Sequence, residues 1–212
     1  MNNPSIKLFT LLVVILFVTA CQVNDKGSED KNITEQICTY TLSEDSTEVI
    51  WSAYKFNDRA AVKGSFDSLR IFGGEISKNA LNALNGIKFS INTLSVNSND
   101  KGRDKKISEI YFKALNTIDI TGSLDSVDQK VKSAILSIAM NGIEIKREVE
   151  FNVKGNIVEL NTNIDVKDWN GAEAVKALNK ACEEKHTGKD KESVLWSDVD
   201  VLVRTRLIKD CK

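Results

Sequence analysis

Residues 132–151 constrain this chain more than any other stretch. Ala134, Leu136, Ile138 and Met140 alternate with their neighbours up to Asn141-Gly142. Ile143, Ile145, Arg147, Val149 and Phe151 then alternate after it. A period of two places one set of side chains on one face of a strand. Asn-Gly between two such runs marks a type I′ hairpin, because both central residues must adopt positive φ and these two tolerate it best. Lys154-Gly155-Asn156 turns the chain again, into the alternating run Val158, Leu160, Thr162, Ile164 and Val166. Three consecutive antiparallel strands with one apolar face commit the chain to a sheet that must cover that face.

The remaining periodicity agrees. Residues 49–56 (VIWSAYKF) are rich in β-branched and aromatic side chains, which fit a pleated surface. Residues 60–66 continue as strand with Gly64 inside, read as a bulge or kink. Ile87, Phe89 and Ile91 alternate with Lys88, Ser90 and Asn92. Val199, Val201, Val203, Thr205 and Leu207 share one face of a last strand. Two stretches have helical spacing. Residues 103–115 place Ile107, Ile110, Tyr111 and Leu115 together. Residues 169–186 carry a small apolar stripe of Ala174, Ala177, Leu178, Ala181 and Cys182. His186 and Gly188 fall near the end of that second helix, where a cation and a C-cap are favoured. Many antiparallel strands without a βαβ rhythm imply an all-β sandwich or barrel. The one-sided helix reads as a cover or plug over one end.

The N-terminus belongs to targeting rather than to the fold. Lys7 precedes an apolar stretch of about a dozen residues, shorter than the roughly 20 needed to span a bilayer. It ends in Val18-Thr19-Ala20-Cys21, similar to a bacterial lipobox. Residues 1–20 are therefore read as a lipoprotein signal peptide and Cys21 as the lipidated mature N-terminus, palmitate being among the acyl chains expected. Cleavage by an ordinary signal peptidase, with Cys21 incidental, is the competing reading. Residues 21–37 then form a flexible tether, and residues 38–212 the folded domain. The tether is too polar to offset its own ordering entropy. Gln22 after the cysteine favours the outer membrane by the enterobacterial sorting rule. The expected location is the envelope of a Gram-negative-type bacterium, lipid-anchored and facing the periplasm. Lys and Arg total 29 against 30 Asp and Glu, so no global charge draws the chain to nucleic acid. Export also fits the three later cysteines, Cys38, Cys182 and Cys211, as one disulfide and one free thiol.

Three segments, in order, resemble the YceI-like domain family. Thr39-Tyr40-Thr41 leads to Val49-Ile50-Trp51-Ser52-Ala53-Tyr54-Lys55 and Ala61-Val62-Lys63-Gly64-Ser65-Phe66. Asn99-Asp100-Lys101-Gly102-Arg103-Asp104 precedes Tyr111-Phe112. Ala177-Leu178-Asn179-Lys180-Ala181-Cys182 precedes His186-Thr187-Gly188-Lys189-Asp190 and Trp196-Ser197-Asp198-Val199. The resemblance implies an eight-stranded antiparallel lipocalin-like barrel holding a polyisoprenoid chain, such as a quinone tail, without further cofactor. A barrel of eight strands is just wide enough for one slender ligand. Trp51, Ala53, Phe66, Phe89, Ile91, Leu136, Ile138 and Met140 are the candidate pocket wall, with Tyr111 and Phe112 at its mouth. Plain core packing, or docking of a surface helix for the last two, reads equally well for each. Arg103 and Asp104 are candidates to orient a head group, or to cap the helix and anchor its loop. Barrel closure sets the first strand beside the last, which favours a Cys38–Cys211 disulfide and leaves Cys182 free and buried. The rival Cys182–Cys211 pairing ties the helix to the rim. An open-ended barrel is also compatible with a C₂ homodimer.

Enzymatic readings find little support. The single histidine, His186, lies four residues after Cys182, so any Cys-His nucleophile pair must use these two. The same pair supplies only two metal ligands where zinc takes three or four. Gly73-Gly74 lacks the following Lys-Ser/Thr of a phosphate loop. The expected function is a non-catalytic envelope lipoprotein that carries, stores or senses an apolar lipid. The alternative is an interaction module with a filled barrel that binds a protein partner.

Overall fold

The computed structural model describes residues Gln36–Lys212. The signal peptide, Cys21 and all but the last two tether residues lie outside the described residues. Among the described residues twelve strands make two sheets, antiparallel throughout. The main sheet has ten: β2 (Thr47–Lys55), β3 (Ala60–Phe66), β4 (Leu69–Phe72), β5 (Ile87–Asn92), β6 (Val96–Asn97), β7 (Asp119–Asp128), β8 (Ser133–Met140), β9 (Ile143–Lys154), β10 (Ile157–Asp165) and β11 (Leu195–Arg206). Their order is β4-β5-β7-β8-β9-β10-β11-β2-β3-β6. The second sheet pairs β1 (Cys38–Thr41) with β12 (Ile208–Cys211).

The expected count of eight is corrected to ten, and the seam explains why. β3 runs into β4 through only Asp67 and Ser68, and β5 runs into β6 through the 3₁₀ turn Thr93–Ser95. Each pair is a strand broken where the sheet curls. β4 and β6 stand at opposite edges of the sheet, so the chain itself links the two edges.

Turn chemistry sets the register of the longest strands. Asn141 (φ 48°) and Gly142 (φ 71°) close the β8–β9 hairpin directly, with Met140 opposite Ile143. Gly155 (φ 64°) starts the two-residue turn between β9 and β10, with Lys154 opposite Ile157; glycine first is the type II′ preference. Gly64 is no bulge. β2 and β3 pair without interruption, Trp51 facing Gly64. The glycine is needed because a Cβ there would lie 2.3 Å from the Trp51 ring.

The helices gather at one end. α1 (Lys101–Lys106) continues into a π-helical turn, Ile107–Phe112, and α2 (Ala172–Ala181) packs on that turn and on β11. α3 (Glu183–His186) follows. The cover is therefore the π-turn and α2 together, since an apolar stripe as narrow as α2's cannot close the end alone. Trp169, fully buried, anchors this end by donating its indole N–H to the Ile138 carbonyl at 3.2 Å. At the other end Leu207 is buried, and Asn156 donates to its carbonyl at 2.7 Å.

Cys38 and Cys211 stand opposite each other in the β1–β12 ladder and form the disulfide. Cys182 is free but half-buried rather than buried, because it sits at the α2–α3 junction. His186 and Gly188 do not cap α2, since the chain re-enters helix after Cys182.

Candidate functional site

The inward faces of the strands enclose a cavity of about 250 Å³. Alternation builds it. β2 contributes Thr47, Val49, Trp51 and Ala53; β8 contributes Leu136, Ile138 and Met140; β10 contributes Val158, Leu160, Thr162 and Ile164. β11 supplies the longest row, from Leu195 to Thr205 by way of Ser197, Val199, Val201 and Val203. The broken seam adds Phe66, Leu69, Ile71, Phe89 and Ile91. The helical end is closed by Ile107, Tyr111 and Phe112 from the π-turn and by Val175 and Leu178 from α2. Among the described residues no charged side chain lines the space. From Ser197 to Thr205 the wall spans nine residues, roughly 26 Å of strand.

All ten candidate pocket residues, Trp51, Ala53, Phe66, Phe89, Ile91, Tyr111, Phe112, Leu136, Ile138 and Met140, line this one cavity. Tyr111 and Phe112 belong to the helical cover itself, and their rings meet edge-on with centroids 5.0 Å apart. Two inward glycines make room for aromatic rings. Gly64 lies under Trp51, and Gly122 stands opposite Phe89, whose ring would be 2.5 Å from any Cβ added there. Sequence reading missed the rows on β10 and β11. Their alternation is plain, yet a pocket wall and a packed core have the same pattern.

Arg103 and Asp104 do not reach the cavity. Both hold the loop before α1: the Arg103 guanidinium donates to the Ser98 hydroxyl (2.7 Å) and carbonyl (2.6 Å), and an Asp104 carboxylate oxygen accepts the Ser98 N–H at 2.9 Å. The helix cap is Asp100, which accepts the Arg103 N–H at 3.0 Å. That bond holds the Asp100 carboxyl below its usual range.

His186 faces Asn179 rather than a nucleophile. Its Nδ1 is 2.8 Å from the Asn179 amide oxygen, which also accepts the Ser193 hydroxyl. Burial, with Lys55 and Lys106 nearby, lowers the imidazole pKa to about 4. It is thus neutral near pH 7, not the helix-end cation its position implies. Among the described residues no group of three or more His, Cys, Asp or Glu side chains is placed to hold a metal, and no helix is long and apolar enough to cross a membrane. Outside the wall, Arg59 lies between the Tyr54 and Trp196 rings, 4.4 and 4.5 Å from their centroids, and pairs with Asp198.

A curled antiparallel sheet with an apolar interior and a helical cover defines a lipocalin-like architecture. The comparisons with known proteins narrow this further. The model of the YceI-like domain matches residues 40–204, and the chain belongs to that family. Two solved structures share the fold. A polyisoprenoid binding domain from Saccharophagus degradans, implicated in plant cell wall breakdown, is 11% identical; the match covers 81% of this chain and 99% of that one, with a TM-score of 0.53. BcnA of Burkholderia cenocepacia is 10% identical, covering 80% and 99%, with a TM-score of 0.51. No curated protein matches the chain.

Proposed function

We propose that this protein binds a long apolar lipid of isoprenoid type inside its curled sheet, and carries, stores or senses it without chemical change. The observation that carries the reading is the cavity: continuous from β4 to the helical cover, and among the described residues without a charged wall residue. Each CH₂ withdrawn from water contributes roughly 0.8 kcal/mol, so a chain of such groups binds with few polar contacts. The fold-mate from Saccharophagus degradans, described as polyisoprenoid binding, supports the same ligand class. Acylation at Cys21 would hold the domain at the envelope, on the periplasmic side of the outer membrane, through the tether of residues 22–37.

The test is organic extraction and mass spectrometry of the full-length protein, purified from its own envelope in mild detergent. A co-purifying series of masses with isoprenoid spacing is expected. A clean protein that also takes up no added polyprenol would overturn the reading and favour a module that binds a protein partner. Labelling with an alkynyl palmitate tests the anchor: label lost in Cys21→Ser supports it, and label retained refutes it.

A further inference from the structure

We propose that the bound molecule carries a hydrogen-bond-accepting oxygen, and that Tyr111 donates its phenolic hydrogen to it at the helical end of the cavity. The inference rests on the apolar-lipid reading above and specifies which lipids qualify. It follows from asking where each polar group of the wall finds its partner. Trp51 donates to the Ser65 carbonyl at 3.2 Å, and Trp196 to the Phe56 carbonyl at 2.7 Å. Thr47 and Thr205 pair with each other at 2.8 Å, and Thr47 also reaches the Ser43 carbonyl at 3.0 Å. Both indoles and the Thr47–Thr205 end of the cavity are satisfied.

The helical end is not. Among the described residues the Tyr111 hydroxyl meets no hydrogen-bond partner; only burial and the charge of Asp165 act on it, and both hold the phenol well above its usual pKa. It is not sealed in packed side chains either, since among the described residues the one fully occluded unpartnered side-chain atom is Arg147 Nε. Tyr111 lines the cavity at this end, and its hydroxyl stays protonated as a donor. Ser197 and Thr162, on the inward faces of β11 and β10 toward the same end, likewise leave their hydroxyls unpaired. A native interior seldom leaves such groups without an acceptor.

The local backbone is built for this placement. At 3.6 residues per turn, Phe112 would point about 140° away from Ile107. The π-turn brings residue i+5 back over residue i, so Ile107, Tyr111 and Phe112 all face the cavity. A hydrocarbon would leave the Tyr111 donor unsatisfied. A ligand with a carbonyl, hydroxyl or ether oxygen at one end would satisfy it, its tail running toward Thr47 and Thr205.

Two probes of similar length separate the cases: the isoprenoid ketone hexahydrofarnesylacetone and the branched alkane phytane. Binding to the full-length protein in detergent is read by tryptophan fluorescence, and the ketone carbonyl by infrared spectroscopy. The wild type is expected to shift the carbonyl band to lower frequency and to prefer the ketone. In Tyr111→Phe the shift is expected to vanish and the ketone-over-phytane preference to fall about two- to tenfold, the range of one net hydrogen bond. An unshifted band in the wild type, or a preference unchanged in Tyr111→Phe, would overturn the proposal while leaving lipid binding intact. If the wild type takes up neither probe, the lipid-binding reading itself fails and the proposal with it.

Discussion

Replacing Gly122 by alanine tests whether this sheet was shaped around its aromatic rings. Gly122 lies mid-β7 on the inward face, opposite Phe89 of β5 and Ile138 of β8. Its φ is not in the left-handed region, so backbone strain does not enter. An added Cβ would stand 2.0 Å from the Ser137 carbonyl oxygen and 2.5 Å from the Phe89 ring. Carbon and carbonyl oxygen approach comfortably to about 3.3 Å, so the overlap with a backbone atom exceeds 1 Å, roughly. The ring can swing into the cavity, but the Ser137 carbonyl belongs to β8 and cannot move without opening the β7–β8 ladder. Overpacking costs about 1–3 kcal/mol and a lost ladder bond about 1 more, giving about 3 kcal/mol. For a domain of this size that corresponds to a fall in melting temperature of about 6–12 °C. Gly142→Ala is the control: nothing lies within 4 Å, and only its φ of 71° is at stake, worth about 1 kcal/mol. Thermal unfolding by circular dichroism, with the disulfide intact, decides. A Gly122→Ala protein melting within about 2 °C of wild type would sink the close-approach argument.

Three further outcomes are expected. Reducing the Cys38–Cys211 bond, which spans 173 residues of sequence, should lower stability by about 5 kcal/mol in the chain-entropy model; equal urea midpoints for oxidised and reduced protein would contradict it. His186 binds a proton near pH 6.5 when unfolded but only near pH 4 when folded. Its contribution is therefore fully present above pH 6.5 and is lost as pH falls toward 4. Urea titrations across that window should show a decline that His186→Gln flattens, and parallel profiles would refute the assignment. Ala53→Trp places a ring in the cavity between Val62 and Val199. It should abolish polyprenol uptake with the fold retained, and uptake at the wild-type level would show that the lipid does not occupy this space.

What could be read beforehand follows a physical line. Asn141-Gly142 and Lys154-Gly155 were legible because a turn needing positive φ restricts residue choice locally. Gly64 was misread because its reason, the Trp51 ring, sits on another strand. β7, written DITGSLDSVD, has too few apolar residues to announce a strand; it forms because β5 and β8 supply ladders on both sides. The strand breaks at Asp67-Ser68 and Thr93–Ser95 come from sheet curvature, which no short window encodes. The cavity wall was visible as alternation, but its emptiness was not, since vacant and packed interiors select the same side chains. The unpaired Tyr111 hydroxyl had no signature either, because its isolation depends on what fails to reach it.

The place of β2 in the sheet has a consequence for how the molecule is made. β2 is the first strand of the main sheet to leave the ribosome, yet it lies between β3 and β11, with Trp51 opposite Val201. One of its two flanks therefore waits through some 150 residues of synthesis before its partner exists, roughly ten seconds or more at ordinary elongation rates. Contacts that distant in sequence also form late and slowly once the chain is whole. Throughout that interval the apolar row Val49, Trp51 and Ala53 is an unguarded edge, open to pairing with the wrong neighbour. Assembly of this protein thus depends on keeping one flank of β2 unpaired until its last long strand, β11, arrives.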